Sequence, residues 1–248
     1  MAYKHGTFVW YENITADVDR AVRFYGETIG WTRQDSDMPG MDYTMLAKGE
    51  APQAGVVNPP EGRDAPPNWM SYLSVDDVDG KAKAVAEHGG TVMAEPFDIP
   101  NVGRMAVVAD PQGAIFALFK GAQGDDQGAS MHWNELWTSD AEAAVKFYTE
   151  VFGLSTSAMD MPNGKYHLLN VSEDVATGGI MTKPSADIPS MWLPYVEVDD
   201  TDATADRIKN NGGKVLGPVL EMEGIGRFAQ IADDQGAVIG IIKPAAQP

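Results

Sequence analysis

An internal repeat constrains the fold of this chain more than any other feature. Its two halves match at an offset of 123 residues without a gap, and the register holds from Trp10 to Lys120. Chance does not supply so many matches at one offset, so the chain is interpreted as two copies of one domain. The matched pairs are Trp10 with Trp133, Glu12 with Glu135, Phe24-Tyr25 with Phe147-Tyr148, Gly30 with Gly153, Tyr43 with Tyr166, Gly55 with Gly178, Trp69 with Trp192, Tyr72 with Tyr195, Gly103-Arg104 with Gly226-Arg227, Asp110 with Asp233, and Gln112-Gly113 with Gln235-Gly236.

A small, polar segment separates the two copies. Residues 121–130 consist only of Gly, Ala, Gln, Asp and Ser, a composition typical of a linker. We therefore expect a first domain over residues 1–121, a linker over 122–130 and a second domain over 131–248.

A weaker repeat divides each copy again. Asp17-Val18-Asp19 recurs as Asp77-Val78-Asp79, and Gly30 recurs as Gly90. In the first module, alternation over Thr7–Ile14 predicts a strand, and an Asp N-cap followed by apolar residues at helical spacing predicts a helix that ends at a glycine. Three short extended runs follow. We therefore predict an α+β fold of four βαβββ modules, with mostly antiparallel sheets and the helices on one face.

Composition and charge exclude several classes of protein. The chain has no Cys, which excludes disulfide scaffolds, thiolate metal sites and cysteine nucleophiles. Its 36 acidic and 18 basic residues give a net charge of −18, which argues against binding to nucleic acid or to an anionic membrane. The N-terminal residues lack the apolar run of a signal peptide, and the longest apolar stretches are strand-sized. We expect a soluble, cytoplasmic protein.

The module pattern resembles the glyoxalase/bleomycin-resistance/extradiol-dioxygenase superfamily, also called vicinal oxygen chelate proteins. The residues that carry the resemblance are Ala21–Tyr25 with Gly30-Trp31, Val75–Asp79, Gly103-Arg104 and Asp110–Gly113, each with its counterpart in the second copy. Within this superfamily the chain is similar to a two-domain glyoxalase-like group, common in actinobacteria, whose members are labelled hydroxylase or antigen. The resemblance implies that paired modules curl their sheets into half-open cups that hold a ligand.

The metal-ligand positions implied by this resemblance carry unsuitable side chains. They fall on Trp10, Met70 and Ala117 in the first copy, on Trp133, Leu193 and Gly240 in the second, and in the runs near Gly55–Val57 and Gly178–Met181. A Zn, Ni, Mn or Fe site needs three or four converging N or O ligands. We therefore expect no metal, and no lactoylglutathione lyase, extradiol dioxygenase or fosfomycin-transferase activity of the metal-dependent kind. No Gly-x-Gly-x-x-Gly motif follows a strand, so we expect no flavin or nicotinamide cofactor either.

Strand alternation indicates which side chains line the cups. Trp10, Glu12 and Ile14 share one face of the first strand, and Trp133, Glu135 and Trp137 share the matching face in the second copy. Glu12 and Glu135 are the candidate catalytic residues, although a structural pairing of these carboxylates is an open alternative. The candidate ligand-binding residues are Trp10, Trp69, Tyr72, Arg104, Trp133, Trp137, Trp192, Tyr195 and Arg227.

Each of these residue types also has a structural interpretation. The tryptophans and tyrosines can be core, and the arginines can form ion pairs in so acidic a chain. For Phe24-Tyr25 and Phe147-Tyr148 we predict the core.

Three functions are consistent with the sequence. The first is a metal-free protein, without cofactor, that binds a small aromatic or apolar molecule in a cup. The second is a metal-independent enzyme, a lyase, isomerase, hydroxylase or other oxidoreductase, that uses Glu12 or Glu135 as general base. The third is an interaction module whose acidic surface meets a basic protein. We expect a small-molecule ligand and either a monomer or a homodimer.

Overall fold

The first copy contains two helices and eight strands. A computed structural model describes residues 4–36, 43–60, 62, 65–122, 131–161 and 164–246; the predicted linker, 122–130, lies outside these residues except for Ala122. The elements of the first copy are β1 (Phe8–Ile14), α1 (Val18–Ile29), β2 (Thr32–Asp35), β3 (Thr44–Lys48), β4 (Ala51–Val57), β5 (Asn68–Ser74), α2 (Val78–Glu87), β6 (Thr91–Ile99), β7 (Gly103–Ala109) and β8 (Ile115–Gly121).

The second copy repeats this order with one additional short strand. Its elements are β9 (Trp133–Thr138), α3 (Ala141–Phe152), β10 (Ser155–Met161), β11 (Gly164–Ser172), β12 (Val175–Thr182), β13 (Met191–Glu197), α4 (Thr201–Asn210), β14 (Lys214–Val215), β15 (Leu220–Met222), β16 (Gly226–Ala232) and β17 (Val238–Pro244). The predicted βαβββ order is thus confirmed. In the last module, β14 and β15 both pair with β16 and lie where the first copy has the single strand β6.

Each of the four helices in the described residues follows an aspartate N-cap, as the module pattern predicts. The side chain of Asp17 accepts a hydrogen bond from the backbone N–H of Arg20 over 3.0 Å, and the three other N-cap aspartates make the same contact. Helices α1 and α3 end at Gly30 and Gly153, whose φ angles are 86° and 69°. This left-handed conformation is the one in which glycine replaces other residues at helix ends. None of the described helices is long and apolar enough to cross a membrane.

Two open sheets hold the strands. The first has the order β2-β3-β4-β1-β5-β8-β7-β6, and the second has β10-β11-β12-β9-β13-β17-β16-β14 with β15 beside β16. Within each module the first and last strands pair in parallel, for example β1 with β4, and the other pairs of the module are antiparallel. The α+β class and the mostly antiparallel pairing are confirmed.

One match of the ungapped repeat is wrong in the structure. The sequence aligns Gly55 with Gly178, but the strand that pairs with β1 places Gly55 beside Glu12, and β12 places Gly179 beside Glu135. The pairing of β11 with β12 has register shifts around Asn170, where the second copy accommodates one extra residue. The structural counterpart of Gly55 is therefore Gly179.

The chain forms two compact units. One gathers α2 and α3 with β6 to β12, and the other gathers α1 and α4 with β2 to β4 and β14 to β17. In the first unit Phe116 packs against Tyr148 and Phe152, and in the second Tyr25 packs against Trp31 and Trp69. The predicted core positions Phe24-Tyr25 and Phe147-Tyr148 are confirmed, since all four side chains are buried.

Candidate functional site

A chain of three hydrogen-bonded side chains lies on the half-buried face of β1. The Trp10 indole N–H donates to the Tyr43 Oη over 2.7 Å, and the Tyr43 hydroxyl donates to the Glu12 Oε1 over 2.8 Å. Trp10 and Glu12 lie two residues apart, so the alternation of the strand places them on the same face. Two predicted site residues are therefore joined by a tyrosine that the sequence did not single out.

Gly55 leaves the space that the Tyr43 hydroxyl occupies. It lies beside Glu12 in the parallel pairing of β1 and β4. A Cβ at this position would lie 2.5 Å from the Tyr43 Cζ and would overlap the hydroxyl itself. Because Gly55 has no side chain, the ring of Tyr43, which immediately precedes β3, can pass beside β4 and reach the Glu12 carboxylate on β1.

Tyr43 is held as a proton donor. Burial of the phenol, the nearby charge of Glu12 and the hydrogen bond to that carboxylate raise the pKa of Tyr43 well above its ordinary value. At neutral pH the proton therefore stays on the tyrosine, and Glu12 is the acceptor. A hydrogen bond to an ionised carboxylate is among the stronger ones that side chains make.

The second copy repeats this series of hydrogen bonds and adds one more donor. The Trp133 indole donates to the Tyr166 Oη over 2.8 Å, and the Tyr166 hydroxyl donates to the Glu135 Oε2 over 3.0 Å. In addition, the Trp137 indole donates to the Glu135 Oε1 over 2.7 Å. Burial and the charge of Glu135 raise the pKa of Tyr166 as they do that of Tyr43. We name these two groups the Trp10–Tyr43–Glu12 cluster and the Trp133–Tyr166–Glu135 cluster.

The other predicted tyrosines have separate surroundings. The Tyr195 Oη accepts a hydrogen bond from the Gln230 side chain over 2.7 Å, and its ring packs edge-on against Phe228. The ring of Tyr72 packs edge-on against Phe119 in the same way. Both tyrosines are buried. Gln230 is a polar partner that sequence reasoning missed, and it has no counterpart in the first copy, where Val107 occupies the matching position.

Trp69 and Trp192 lie in the core. Their exposed fractions are 6% and 2%. The Trp69 indole donates to the Tyr25 Oη over 2.9 Å, and the Tyr25 hydroxyl donates to Asp233 over 2.9 Å. In the same way, the Trp192 indole donates to the Tyr148 Oη, and the Tyr148 hydroxyl donates to Asp110. The geometry gives these two indoles structural partners, which favours the core interpretation over ligand contact.

Arg104 and Arg227 form exposed ion pairs. The Arg104 guanidinium binds both carboxylate oxygens of Asp79 at 2.6 and 2.7 Å and contacts Asp98 at 3.0 Å. The Arg227 guanidinium binds Asp202 in the same two-pronged way. Neighbouring carboxylates thus engage both arginines in ion pairs. This is the structural alternative to ligand binding that the acidity of the chain suggested.

The residues at the metal positions implied by the fold do not fit a metal ion. Trp10, Met70 and Ala117 offer an indole, a thioether and a methyl group instead of imidazole and carboxylate ligands. In the second copy, a Cβ at Gly240 would overlap the ring of Tyr195, so this ring fills the place of a side chain there. Within the described ranges of the chain, no three His, Asp or Glu side chains gather into a possible metal site.

Tyr43 and Tyr166 are the members of the two clusters that sequence reasoning missed. Both appear among the matched pairs of the repeat. Their identity in the two copies was the available signal. What the sequence does not contain is the distance between Tyr43 and Glu12, which are 31 residues apart in the chain and 2.8 Å apart in space.

Comparisons with known proteins agree on one family. The model of the glyoxalase/bleomycin resistance protein/dioxygenase superfamily matches residues 7–118 and 130–241. A Mycobacterium tuberculosis protein named "Putative glyoxylase CFP32" is 37% identical over 99% of this chain and 97% of its own length. The "Anthracycline biosynthesis protein DnrV" of Streptomyces peucetius is 28% identical over 96% of this chain and 93% of its own length.

A solved structure shares the fold across almost the whole chain. The Mn(II)-bound glyoxalase from Novosphingobium aromaticivorans superposes with a TM-score of 0.67 and 18% identity, covering 98% of this chain and 83% of that one. The two family matches together span most of the sequence, as the predicted resemblance requires. The chain belongs to the glyoxalase/bleomycin resistance protein/dioxygenase superfamily.

Proposed function

We propose that this protein binds a small, flat, aromatic or largely apolar molecule without a metal ion, and that a hydrogen-bond donor on the ligand contacts a cluster carboxylate. One observation carries the proposal. In each copy a half-buried carboxylate lies beside an indole on the same face of the first strand, and a tyrosine is hydrogen-bonded to both groups. Small-molecule sites typically combine apolar walls with a few oriented polar groups.

The hydrogen-bond directions favour a ligand that donates. In the Trp10–Tyr43–Glu12 cluster the indole proton is directed to the tyrosine and the tyrosine proton to the carboxylate. An ionised carboxylate offers acceptor positions on both oxygens and no donor. A hydroxyl or an amine on the ligand therefore complements Glu12, and a carboxylate or phosphate group is repelled by it.

The side chains at the positions where the superfamily resemblance implies metal ligands support a metal-free site. The Mn(II)-bound relative shares the fold, whereas the side chains at the corresponding positions implied here are an indole, a thioether and a methyl group. The name of the Streptomyces peucetius relative connects that protein with anthracyclines, which are flat aromatic compounds. We propose that the ligand of the present chain belongs to the same broad chemical class.

Binding to two fluorescent aromatic compounds tests this proposal. Daunorubicin, an anthracycline, and 1-aminoanthracene, an aromatic amine, are titrated into protein dialysed against EDTA. We expect saturable binding that weakens by about tenfold or more when Glu12→Gln and Glu135→Gln are combined, since tenfold corresponds to about 1.4 kcal/mol. Glu27→Gln, the same change at an exposed position of α1, is the matched control and leaves binding unchanged. Binding that requires an added divalent metal, or that ignores both glutamates, contradicts the proposal.

A metal-independent enzyme is the second candidate, and the tyrosine–carboxylate pair favours it. A carboxylate at 2.8 Å from a phenol can take a proton from a substrate while the phenol holds the carboxylate in position. The hemithioacetal of methylglyoxal and glutathione, offered in EDTA, tests this candidate. Turnover that Glu12→Gln abolishes, while binding of the hemithioacetal persists, supports the enzyme. Binding without turnover supports the non-catalytic binding protein. The acidic interaction module rests on net charge alone and stays a prediction.

A further inference from the structure

The last module of the chain holds a tyrosine–glutamine pair on one face of its sheet. Tyr195 on β13 and Gln230 on β16 both lie opposite Gly240 of β17, so the three residues share a face. A Cβ at position 240 would overlap the Tyr195 ring. Because glycine leaves this space, the ring can pass over β17, and its Oη accepts a hydrogen bond from the Gln230 Nε2 over 2.7 Å.

The first copy carries different residues at both of these places. In the same strand registers, Val107 replaces Gln230 and Ala117 replaces Gly240. The methyl group of Ala117 occupies the space over the strand, and the Tyr72 ring packs against an aromatic ring of the strand next to its own instead. The hydrogen bond of the second copy therefore depends on two differences together, one that opens the space and one that supplies the amide.

The Gln230 amide uses only part of its hydrogen-bonding capacity. A glutamine side chain has two N–H donors and a carbonyl acceptor. One N–H is donated to Tyr195, and no other side-chain hydrogen bond of Gln230 is formed within the described ranges of the chain. The side chain is half-buried, so it can be reached from solvent. The tyrosine thus fixes one end of the amide and leaves its carbonyl available as an oriented acceptor.

Apolar side chains lie beside this pair on the same face. In the next register row, Ile242 of β17, Phe228 of β16 and Leu220 of β15 are neighbours. The Phe228 ring packs edge-on against Tyr195 with 6.3 Å between the ring centroids, and Leu220 is 44% exposed. An apolar surface that is open to solvent beside one oriented polar group is the usual composition of a small-molecule site.

We propose that Gln230 is a ligand-contacting residue: its amide oxygen accepts a hydrogen bond from the hydroxyl group of a neutral, flat aromatic molecule that packs against Phe228 and Leu220. Tyr195 is then a positioning residue, because its hydroxyl holds the amide nitrogen and so directs the carbonyl away from itself. The amide carries no charge, which favours a neutral ligand. This inference stands on residues outside the two carboxylate clusters and goes beyond the proposed function.

Two probes that differ by one hydroxyl group separate ligand contact from a structural role. 2-Naphthol carries the hydroxyl and naphthalene does not, and equilibrium dialysis against the full-length protein gives both dissociation constants. Gln230→Val introduces the residue of the first copy. We expect it to lower the affinity for 2-naphthol about fivefold or more and to change the affinity for naphthalene by less than about twofold. Tyr195→Phe should lower the affinity for 2-naphthol less, because the amide remains and has lost only its orientation.

Gln34→Val is the matched control. It makes the same change at an exposed position of β2 and should leave both affinities as in the wild type. Equal losses for 2-naphthol and naphthalene in Gln230→Val, or an unchanged affinity for 2-naphthol, overturn the proposal. Absence of saturable binding of 2-naphthol to the wild-type chain overturns it as well. The proposed function is read from the glutamate variants and other probes, so either proposal can fail without the other.

Discussion

Gly55→Ala tests the geometry of the Trp10–Tyr43–Glu12 cluster most sharply. The added Cβ would lie 2.5 Å from the Tyr43 Cζ, whereas ordinary carbon–carbon contacts are about 3.5–4.0 Å. The Tyr43 ring must therefore move by about 1 Å or more. A shift of this size breaks both hydrogen bonds of the hydroxyl, which are 2.7 and 2.8 Å long.

The expected loss of stability follows from these two hydrogen bonds. One is an ordinary bond of about 1 kcal/mol and the other is charge-assisted, worth about 1.5–3 kcal/mol. Replacing glycine in a strand returns roughly 0.5–1 kcal/mol of backbone entropy. The free energy of unfolding should fall by about 2–3 kcal/mol, and since one kcal/mol moves the midpoint of a chain of this length by about 2 °C, the midpoint falls by about 4–6 °C.

Urea unfolding followed by tryptophan fluorescence measures this change. Gly179→Ala is the partner experiment, because its Cβ would lie 2.5 Å from the Tyr166 Cε1, and it should cost a similar amount. Gly217→Ala is the control, since no atom lies within 4 Å of its added Cβ and its φ is not positive. A Gly55→Ala protein as stable as the control refutes the inferred packing of Tyr43 against β4.

Three further predictions concern residues outside the clusters. Asn13→Leu should raise the free energy of unfolding by about 1–3 kcal/mol in urea titrations, because the Asn13 side chain is fully buried with no hydrogen-bond partner among the described residues and the second copy has Leu136 there. A loss of stability contradicts this. Burial raises the pKa of Asp110 and Asp233 above the ordinary 3.8, so the folded chain keeps these protons at a pH where the unfolded chain has lost them. The contribution of these two carboxyls to the free energy of unfolding therefore rises as the pH falls through their folded pKa values toward 3.8. Asp110→Asn lacks this gain, so in urea unfolding at a series of pH values it should become less stable relative to the wild type as the pH falls through that range. A stability difference that does not change with pH counts against the raised pKa of Asp110. Arg104→Gln should leave the affinity for 1-aminoanthracene unchanged in fluorescence titrations, because the Arg104 guanidinium is engaged by carboxylates on the protein surface. A lower affinity of the variant for 1-aminoanthracene would instead indicate that Arg104 contacts the ligand.

Local signals in the sequence predicted the elements well. The aspartate before each helix and the glycine after α1 and α3 act on the backbone next to them, so their effect is readable without the fold. The alternation of β1 likewise placed Trp10 and Glu12 on one face. Both effects operate over a few residues, which is the range over which a sequence pattern determines structure.

Contacts between distant residues were not predictable in the same way. Trp10 and Trp69 look alike in the sequence, yet the first belongs to a half-buried cluster and the second donates to Tyr25 in the core. The partner of each indole comes from another strand or helix, and only the folded chain brings it there. The alignment of Gly55 with Gly178 failed for a related reason, because the register shift near Asn170 moves the strand by one residue without changing the length of the repeat.

The central claim, a metal-free site for a small aromatic molecule, is tested most directly by native mass spectrometry of freshly purified protein combined with elemental analysis. We predict a chain that carries no stoichiometric transition metal and that retains, or accepts when offered, one aromatic molecule. The adduct should be weaker when Glu12→Gln and Glu135→Gln are combined than in the wild-type chain. A stoichiometric bound transition metal such as manganese, zinc or iron in the purified protein would contradict the account.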